Sequence, residues 1–292
     1  MALGGDILHY RLGSYEVGRL GYGAMRLTGP GVFGPPRDQH QAIAVLREAV
    51  DAGVDHIDTA HFYGPEVANS LIHRALYPYP AGLALVSKVG FRRDEQGRIL
   101  SWRRPRDLRR GIEENLRSLR VEQLAAVNLR LVDGAPANQF FDDQLAAMIE
   151  AQADGLIAGI GLSNITAQHL RRAVGVTDVV CVQNAFHPAN LASRDVLEEC
   201  TRRDIAFVPF ASLGSGLPGP GAVLDSPRVT AVARRFGLTA AQVALAWALG
   251  QAPNVLVIPG TKSLSHLREN LAVRDLLADA SARHELARLG AA

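Results

Sequence analysis

The sequence has few cysteines and no long apolar run. Cys181 and Cys200 are the two cysteines among 292 residues, and their spacing fits neither a metal-ligand motif nor a disulfide framework. We therefore expect both thiols to be reduced and buried, and we expect no metal site. No stretch reaches the roughly 18 apolar residues of a membrane helix, and the first residues lack the pattern of a secretory signal. A cytoplasmic protein without membrane contact is expected.

An excess of charge of one sign is also lacking. The 31 basic and 29 acidic residues give a formal net charge of +2. The basic runs at 103–106 and 109–110 are not interleaved with aromatic residues, as nucleic-acid sites commonly are. We interpret them as the solvated start of a helix. The expected partner is a small molecule, without nucleic acid, and the chain is expected to be a monomer or a weak homo-oligomer.

Short apolar runs alternate with helical patterns along the chain. The predicted strands are 20–25, 54–58, 83–89, 124–131, 157–162, 179–183, 205–210 and 255–258, and the predicted helices are 39–52, 66–76, 105–119, 141–154, 167–174, 193–203, 227–237, 239–249 and 264–273. Strands of continuous apolar character indicate a parallel sheet buried on both faces, and eight such units close a barrel. We predict one α/β domain over 1–292, a (β/α)8 TIM barrel with an N-terminal β-hairpin around Gly13-Ser14.

A doubly wound open sheet is the structural alternative. It requires a phosphate-binding glycine turn of the form G-x-G-x-x-G after the first strand. Residues 21–26 fit only half of this pattern, so the barrel is favoured. In a barrel, functional residues lie at the C-terminal ends of the strands and in the loops that follow.

Three such residues combine into a site for proton transfer. Asp58 ends the second strand, Tyr63 follows it, and Lys88 lies in the otherwise apolar third strand. Because an unpaired ammonium is costly to bury, Lys88 needs a partner, and Asp58 is the obvious one. The ammonium favours the phenolate of Tyr63 and so makes it a better proton donor. Taken singly, each of the three residues is explained better as part of a structural ion pair or as a packed ring. Together, at the ends of adjacent strands, they are more specific for a site.

The sequence resembles the aldo-keto reductase family from residue 20 to about residue 273. Residues 58–64 are similar to the family's first signature, Lys88 has the position of the catalytic lysine, and Ser163-Asn164 ends the fifth strand as in the family. The resemblance implies NADPH/NADP+ as the cofactor, bound at the C-terminal mouth of the barrel. It also implies that an aldehyde or ketone is reduced by hydride transfer with Tyr63 as the proton donor.

The resemblance further implies which residues bind the cofactor. These are Ser163, Asn164 and Gln183 for the carboxamide, Phe210 for the nicotinamide ring, Ser212, Leu213, Gly214 and Ser215 for the pyrophosphate, Gly260, Thr261, Lys262, Ser263, His266, Glu269 and Asn270 for the 2′-phosphate end, and Gly23, Met25 and Asp58. A hydroxyl-rich turn with a lysine at a helix start suits an anion and favours NADPH over NADH. Ordinary helix caps are the alternative explanation.

The fourth strand departs from the family's pattern. Where the family usually has a histidine that hydrogen-bonds the substrate carbonyl, this chain has Arg130. A guanidinium stabilises negative charge but is not a proton donor at neutral pH, so the donor role falls on Tyr63. Alternatively, Arg130 binds an acidic group of the substrate, or the site has lost reductase activity. Residues 20–38 and the run Asn-Leu-Arg resemble the bacterial pyridoxal reductase branch, which implies reduction of pyridoxal to pyridoxine.

The expected substrate contacts are Phe33, Tyr63, Trp102 and Arg130. Phe33 lies in the loop 29–36, which we expect over the mouth, and Trp102 lies in 89–104, a variable loop that also contains Phe91. Three other functions stay open: a ketoreductase for a natural-product intermediate, an aldolase or isomerase that forms a Schiff base on Lys88, and a nucleotide-binding regulatory protein with little turnover.

Overall fold

Residues 8–214 and 223–278 are described by the computed structural model, so Ser215 of the predicted cofactor loop lies outside the described residues. The strands are β1 (His9–Leu12), β2 (Tyr15–Gly18), β3 (Tyr22–Gly23), β4 (His56–Asp58), β5 (Ala84–Arg93), β6 (Ile99–Trp102), β7 (Ala126–Arg130), β8 (Ile160–Ser163), β9 (Val179–Gln183) and β10 (Ala206–Phe207). The helices are α1 (Gln39–Asp51), α2 (Val67–Leu76), α3 (Pro105–Leu119), α4 (Gln139–Ala153), α5 (Ala167–Ala173), α6 (Arg194–Arg202), α7 (Pro227–Phe236), α8 (Ala240–Leu249), α9 (Leu264–Leu271) and α10 (Val273–Ala278).

Seven parallel strands follow one another in the order β3-β4-β5-β7-β8-β9-β10. An eighth segment joins the two ends of this sheet, since Val257 forms a parallel bridge with Leu20 and Val255 forms one with Phe207. The amide of Gly21 donates to the Val257 carbonyl at 2.8 Å across this seam. The predicted (β/α)8 barrel is therefore confirmed, with bridges instead of a regular ladder at the eighth strand.

Two buried apolar clusters fill the fold. The larger lies between the strands and the surrounding helices and includes Trp247, Phe186 and Phe207. The smaller brings the hairpin together with barrel strands and consists of Leu12, Val17, Ala84, Val86, Ala125, Ala126, Cys181, Ala206, Val208 and Leu256. Because the hairpin supplies the fully buried Leu12 and Val17, strands β1 and β2 close the barrel floor as predicted.

Both cysteines are free and buried, as predicted. Burial raises the pKa of the Cys181 thiol to about 12 and also raises the pKa of Cys200, so both stay protonated at neutral pH. Within 8–214 and 223–278, no helix is long and apolar enough to cross a membrane.

The segment 89–104 differs from the predicted loop. Strand β5 continues to Arg93, turns at 94–98 and returns as β6, with Gly90 opposite Trp102. The side chain of Asp94 closes the turn, because it accepts from the amides of Gln96 and Arg98. Charged side chains on the exposed positions obscure the strand periodicity here. Other boundaries also differ. The strand predicted over 20–25 is shortened to β3 because 24–27 forms a 3-10 turn, the strand predicted over 205–210 is shortened to β10, and the last predicted helix is divided at Ala272.

Arg19 stabilises the seam at which the barrel closes. It is 7% exposed, and its guanidinium donates to three backbone carbonyls: Val255 at 3.0 Å, Leu249 at 2.5 Å and Ala252 at 2.7 Å. These carbonyls lie around the end of α8 and the start of the eighth barrel segment, where an irregular backbone would leave acceptors unpaired.

We expect Arg19→Met to lower the free energy of unfolding by about 2–5 kcal/mol, because it leaves buried carbonyls without a donor. Urea unfolding followed by tryptophan fluorescence measures the change. Arg37→Met is the matched control at an exposed position, and it should change stability by less than about 0.5 kcal/mol. Equal effects of the two substitutions would contradict this role of Arg19.

Candidate active site

Lys88 and Asp58 form a buried ion pair at the mouth end of neighbouring strands. Their side chains are each 3% exposed, and the ammonium donates both to Asp58 Oδ1 and, at 3.1 Å, to the Thr59 carbonyl. The strand register explains the meeting: Asp58 lies opposite Val86, so Lys88, two residues further along β5, rises just beyond it. The predicted pairing of Lys88 with Asp58 is present.

Tyr63 lies beside this pair. It is 6% exposed, and the Lys88 ammonium lies 5.3 Å from the centroid of its ring. Burial alone would lower the pKa of Lys88, but the Asp58 carboxylate and the Tyr63 phenol outweigh it, and the pKa of the lysine is raised. Lys88 therefore stays protonated throughout the physiological range and presents a fixed positive charge to the phenol.

The ends of β7, β8 and β9 bring further predicted residues to the same level. Arg130 lies opposite Ser163, and Ser163 lies opposite Gln183. Gln183 Nε2 donates to Asp58 Oδ2 at 2.6 Å across the barrel. Ser163 Oγ and Gln183 Oε1 are buried and have no hydrogen-bond partner among the described residues. A ligand with an amide group would satisfy both atoms.

Asn164 adopts a left-handed backbone conformation, with φ of +62°. Its Nδ2 already donates to the Leu131 carbonyl at 3.1 Å and to Asp133 Oδ1 at 2.5 Å. The side chain is therefore fixed between the ends of β7 and β8 by the two hydrogen bonds of its NH2 group.

Arg130 lies between two aromatic rings. Its guanidinium carbon is 5.7 Å from the centroid of Phe91 and 5.5 Å from that of Phe210. Gly90 permits this arrangement, because its φ is +113° and a Cβ there would lie 2.4 Å from the Arg130 carbonyl oxygen. Arg130 and Phe210, which the sequence assigned to different partners, are thus in contact with each other.

The predicted residues for the 2′-phosphate lie at the start of α9. Ser263 caps this helix by accepting from the His266 amide at 3.4 Å, and Lys262 is exposed beside it, whereas Thr261 and Asn270 are buried. Glu269 is tied to α8, since its carbonyl accepts from Gln242 at 3.3 Å. The turn therefore places the exposed Lys262 ammonium at the N-terminus of a helix, a combination that suits an anion.

Gly23 and Gly260 have a packing role as well. A Cβ on Gly23 would lie 2.4 Å from the Ile258 carbonyl oxygen, and a Cβ on Gly260 would lie 2.4 Å from the Gly23 carbonyl oxygen. The two backbones approach closely because both residues lack a side chain. Met25 follows in the 3-10 turn Ala24–Leu27 and is partly buried.

The loop after the seventh barrel strand is described as far as residue 214. Ser212 is buried, and its hydroxyl donates to the Pro209 carbonyl at 3.0 Å. The Gly214 amide donates to the Ala211 carbonyl at 2.7 Å, while Leu213 packs against the core. Ser212 thus has a structural hydrogen bond in addition to its predicted role at the pyrophosphate.

The loop 29–36 and the β5–β6 hairpin meet at the rim. Phe33 is 37% exposed, and its ring packs over Gly97 at the hairpin tip, where an added Cβ would lie 3.0 Å from the ring. Arg93 joins the two segments by donating to the carbonyls of Gly97 at 2.5 Å and Gly31 at 3.1 Å.

Trp102 faces a different neighbour. Its ring lies between the guanidinium groups of Arg92, at 5.6 Å, and Arg110, at 5.8 Å. A Cβ on Gly111 would lie 3.7 Å from the ring, so Trp102 packs over helix α3. The structure does not bring it together with Tyr63 and Arg130.

Sequence reasoning missed Phe62. Its ring packs edge-on against Tyr63 at 4.9 Å and lies 6.4 Å from Phe91. The rings of Tyr63, Phe62 and Phe91 therefore contact one another in sequence, and the last of them lies beside Arg130. Phe62 belongs to the recognised motif 58–64, but sequence alone does not tell which way its ring points.

The Aldo/keto reductase family model matches residues 19–289, so the chain belongs to this family. Pyridoxine 4-dehydrogenase of Escherichia coli is 46% identical to this chain over 270 residues, which cover 91% of the chain and 93% of that relative. An uncharacterized oxidoreductase of Schizosaccharomyces pombe is 36% identical and covers 89% of the chain and 83% of its own length.

Two solved structures are also similar. An aldo/keto reductase from Klebsiella pneumoniae, in complex with NADP and acetate, is 25% identical with a TM-score of 0.77 and covers 97% of this chain and 95% of its own. A thermostable aldo-keto reductase in complex with the inhibitor epalrestat is 27% identical with a TM-score of 0.79. The match covers 97% of this chain and 100% of that structure's chain. The predicted family and enzyme class, an oxidoreductase of carbonyl and alcohol groups, are confirmed.

We expect Asp58→Asn to destabilise the protein by about 3–5 kcal/mol, because it leaves the Lys88 ammonium buried without a counter-charge. Adding Lys88→Met to Asp58→Asn should restore most of the loss. Urea unfolding of the single and double variants measures both effects.

Glu48→Gln is the matched control, because the ion pair of Glu48 with Arg268, at 2.6 Å, lies at the protein surface. This substitution should lower the free energy of unfolding by less than about 1 kcal/mol. A double variant no more stable than Asp58→Asn would contradict the ion-pair explanation.

Proposed function

We propose that the protein reduces an aldehyde or ketone to an alcohol with NADPH, and that Tyr63 is the proton donor. The observation that supports this best is the buried phenol of Tyr63 beside an ammonium that Asp58 keeps charged. The fixed charge stabilises the tyrosinate that forms when the proton leaves. Tyr63 gives its proton to the carbonyl oxygen and regains one from solvent after the alcohol leaves.

Several observations support NADPH as the cofactor. The similar Klebsiella pneumoniae structure holds NADP. In this chain, the unpartnered Ser163 Oγ and Gln183 Oε1 suit the nicotinamide carboxamide, and the start of α9 with Lys262 suits the 2′-phosphate. When bound there, NADPH supplies the hydride that the carbonyl carbon receives.

Arg130 is proposed to bind the carbonyl oxygen. Its guanidinium carries a permanent charge and is held between Phe91 and Phe210, so it needs little reorganisation when negative charge develops on the oxygen. It strengthens the polarisation of the carbonyl and leaves proton delivery to Tyr63.

Pyridoxal is the substrate that we propose. The relative at 46% identity is named pyridoxine 4-dehydrogenase, and pyridoxal and pyridoxine are the aldehyde and alcohol of one such reaction. The phenyl rings of Phe33, which is exposed, and Phe91, which is half-buried, supply flat apolar surface that suits a planar aromatic aldehyde.

A Schiff-base mechanism on Lys88 is disfavoured. Such a mechanism needs a neutral amine as the nucleophile, whereas the pKa of Lys88 is raised by its interactions with Asp58 and Tyr63, against the effect of burial. The ion pair therefore keeps the Lys88 amine protonated near neutral pH, where a Schiff-base mechanism would need it neutral.

NADPH oxidation against pyridoxal and a panel of aldehydes and ketones tests the proposed function, with NADH as the comparison cofactor. We expect turnover with NADPH, a preference for pyridoxal, and a loss of about 10²–10⁴-fold in kcat for Tyr63→Phe, because the proton donor is removed. NADPH binding, followed by fluorescence, should be retained in the variant. Full turnover by Tyr63→Phe would rule out the proposed donor.

We expect Arg130→Met to lower kcat/KM for pyridoxal by about 10²–10³-fold, because one charged stabiliser of the developing oxyanion is lost. Arg130→Lys should recover only part of the rate, since an ammonium cannot lie between the two rings as a planar guanidinium does. Arg92→Met, at an exposed arginine that also lies over an aromatic ring, is the matched control. If Arg130→Met raised KM for acidic substrates alone, carboxylate binding would be the better explanation.

A further inference from the structure

The two carboxylate oxygens of Asp58 have different partners. Oδ1 accepts from the Lys88 ammonium, and Oδ2 accepts from Gln183 Nε2 at 2.6 Å. Asp58 is 2% exposed and Gln183 is fully buried, so water does not compete for either bond.

This contact fixes which way the Gln183 amide points. An ionised carboxylate only accepts hydrogen bonds, so the NH2 group of Gln183 must face Asp58. Turning the amide over would place two acceptor oxygens against each other in a buried site. The remaining oxygen, Oε1, is buried and accepts no bond from any residue within 8–214 and 223–278.

We propose that Gln183 is a positioning residue that couples recognition of the cofactor amide to the proton-transfer group. Asp58 sets the orientation in which Gln183 presents an acceptor to a carboxamide NH2. In return, Gln183 holds the second oxygen of Asp58, and through it the Lys88 ammonium beside Tyr63. This inference rests on the proposed function for its ligand, but the Asp58–Gln183 contact is independent of it.

The groups around Asp58 make this coupling measurable by pH. The titratable neighbours are Lys88 on β5, Tyr63 after β4, His56 on β4 and Cys181 on β9. The other neighbouring strands, β3, β7 and β8, contribute residues that do not titrate: Gly23, Asn128 and Ser163. Burial lowers the pKa of His56 and raises that of Cys181 to about 12, so both are neutral between pH 7 and pH 9. A carboxyl introduced at position 183 would dominate any new pH dependence.

Gln183→Glu tests the contact with Asp58, because the glutamate side chain has nearly the same shape as glutamine but can lose the proton that the hydrogen bond requires. The introduced carboxyl must hold a proton to donate to Asp58, and two carboxyls at this distance share one proton. Burial and the like charge raise its pKa in the folded state, so its favourable contribution is present at low pH and lost as pH rises. Gln183→Met removes the donor and the acceptor without adding a titrating group.

Ser163→Ala is the matched control, since Ser163 Oγ is also buried and unpartnered but does not touch Asp58. Three quantities are measured from pH 5.5 to pH 9: the thermal midpoint without cofactor, the NADPH dissociation constant, and kcat with pyridoxal. Wild-type protein is also titrated with NADP+ and with its analogue in which a carboxylate replaces the carboxamide.

We expect the thermal midpoint of Gln183→Glu, relative to wild type, to fall as pH rises, with kcat falling at least about 10-fold over the same range. Gln183→Met should lower both kcat and NADPH affinity without a new pH dependence. Ser163→Ala should weaken NADPH binding but keep the wild-type pH profile. Wild type should bind the carboxylate analogue at least about 10-fold more weakly, because the analogue turns an acceptor toward Gln183 Oε1.

A pH profile of Gln183→Glu parallel to that of wild type would overturn the coupling. So would equal binding of the two cofactor forms by wild type, a result that needs no variant to fold. If wild type bound NADPH but reduced no carbonyl, the proposed function would fail instead, and the thermal midpoints without cofactor would still decide whether Gln183 and Asp58 are coupled.

Discussion

The candidate site depends on one buried ion pair. Removing two opposite charges from water is favourable only when nearly every polar atom of the pair finds a partner. In this barrel the partners of Asp58 and Lys88 come from the Thr59 carbonyl and from Gln183, which is 125 residues away from Asp58 in sequence. The pair therefore fixes β4, β5 and β9 relative to one another and sets the position of Tyr63.

Lysine and arginine side chains occupy different environments in the candidate site. Lys88 and Lys262 are the only lysines in the sequence, although it has 31 basic residues. A compact ammonium fits inside the barrel beside a carboxylate, whereas a planar guanidinium fits between the rings of Phe91 and Phe210, where Arg130 lies. An arginine at the end of β7 accordingly places a planar, permanently charged group between these two rings.

Sequence reasoning predicted the parts of the site that strand ends determine. Asp58, Arg130 and Gln183 end parallel strands, Lys88 lies at the same level of β5, and such ends share one mouth in a barrel. The sequence did not predict contacts across the barrel, because a hydrogen bond such as that between Gln183 and Asp58 depends on how the sheet closes. The β5–β6 hairpin was missed because exposed charges mask its periodicity, and the direction of Trp102 followed from that hairpin.

The rim of the candidate site is joined to the segment that carries Tyr63 through the backbone. The Gly34 amide donates to the Gly64 carbonyl at 2.8 Å, and the Gly64 amide donates to Val32 at 3.2 Å. Gly64 directly follows Tyr63, so any displacement of the loop 29–36 acts on the segment that holds the phenol. Because Arg93 ties this loop to the β5–β6 hairpin, both segments of the rim are joined by hydrogen bonds to the backbone that carries Tyr63.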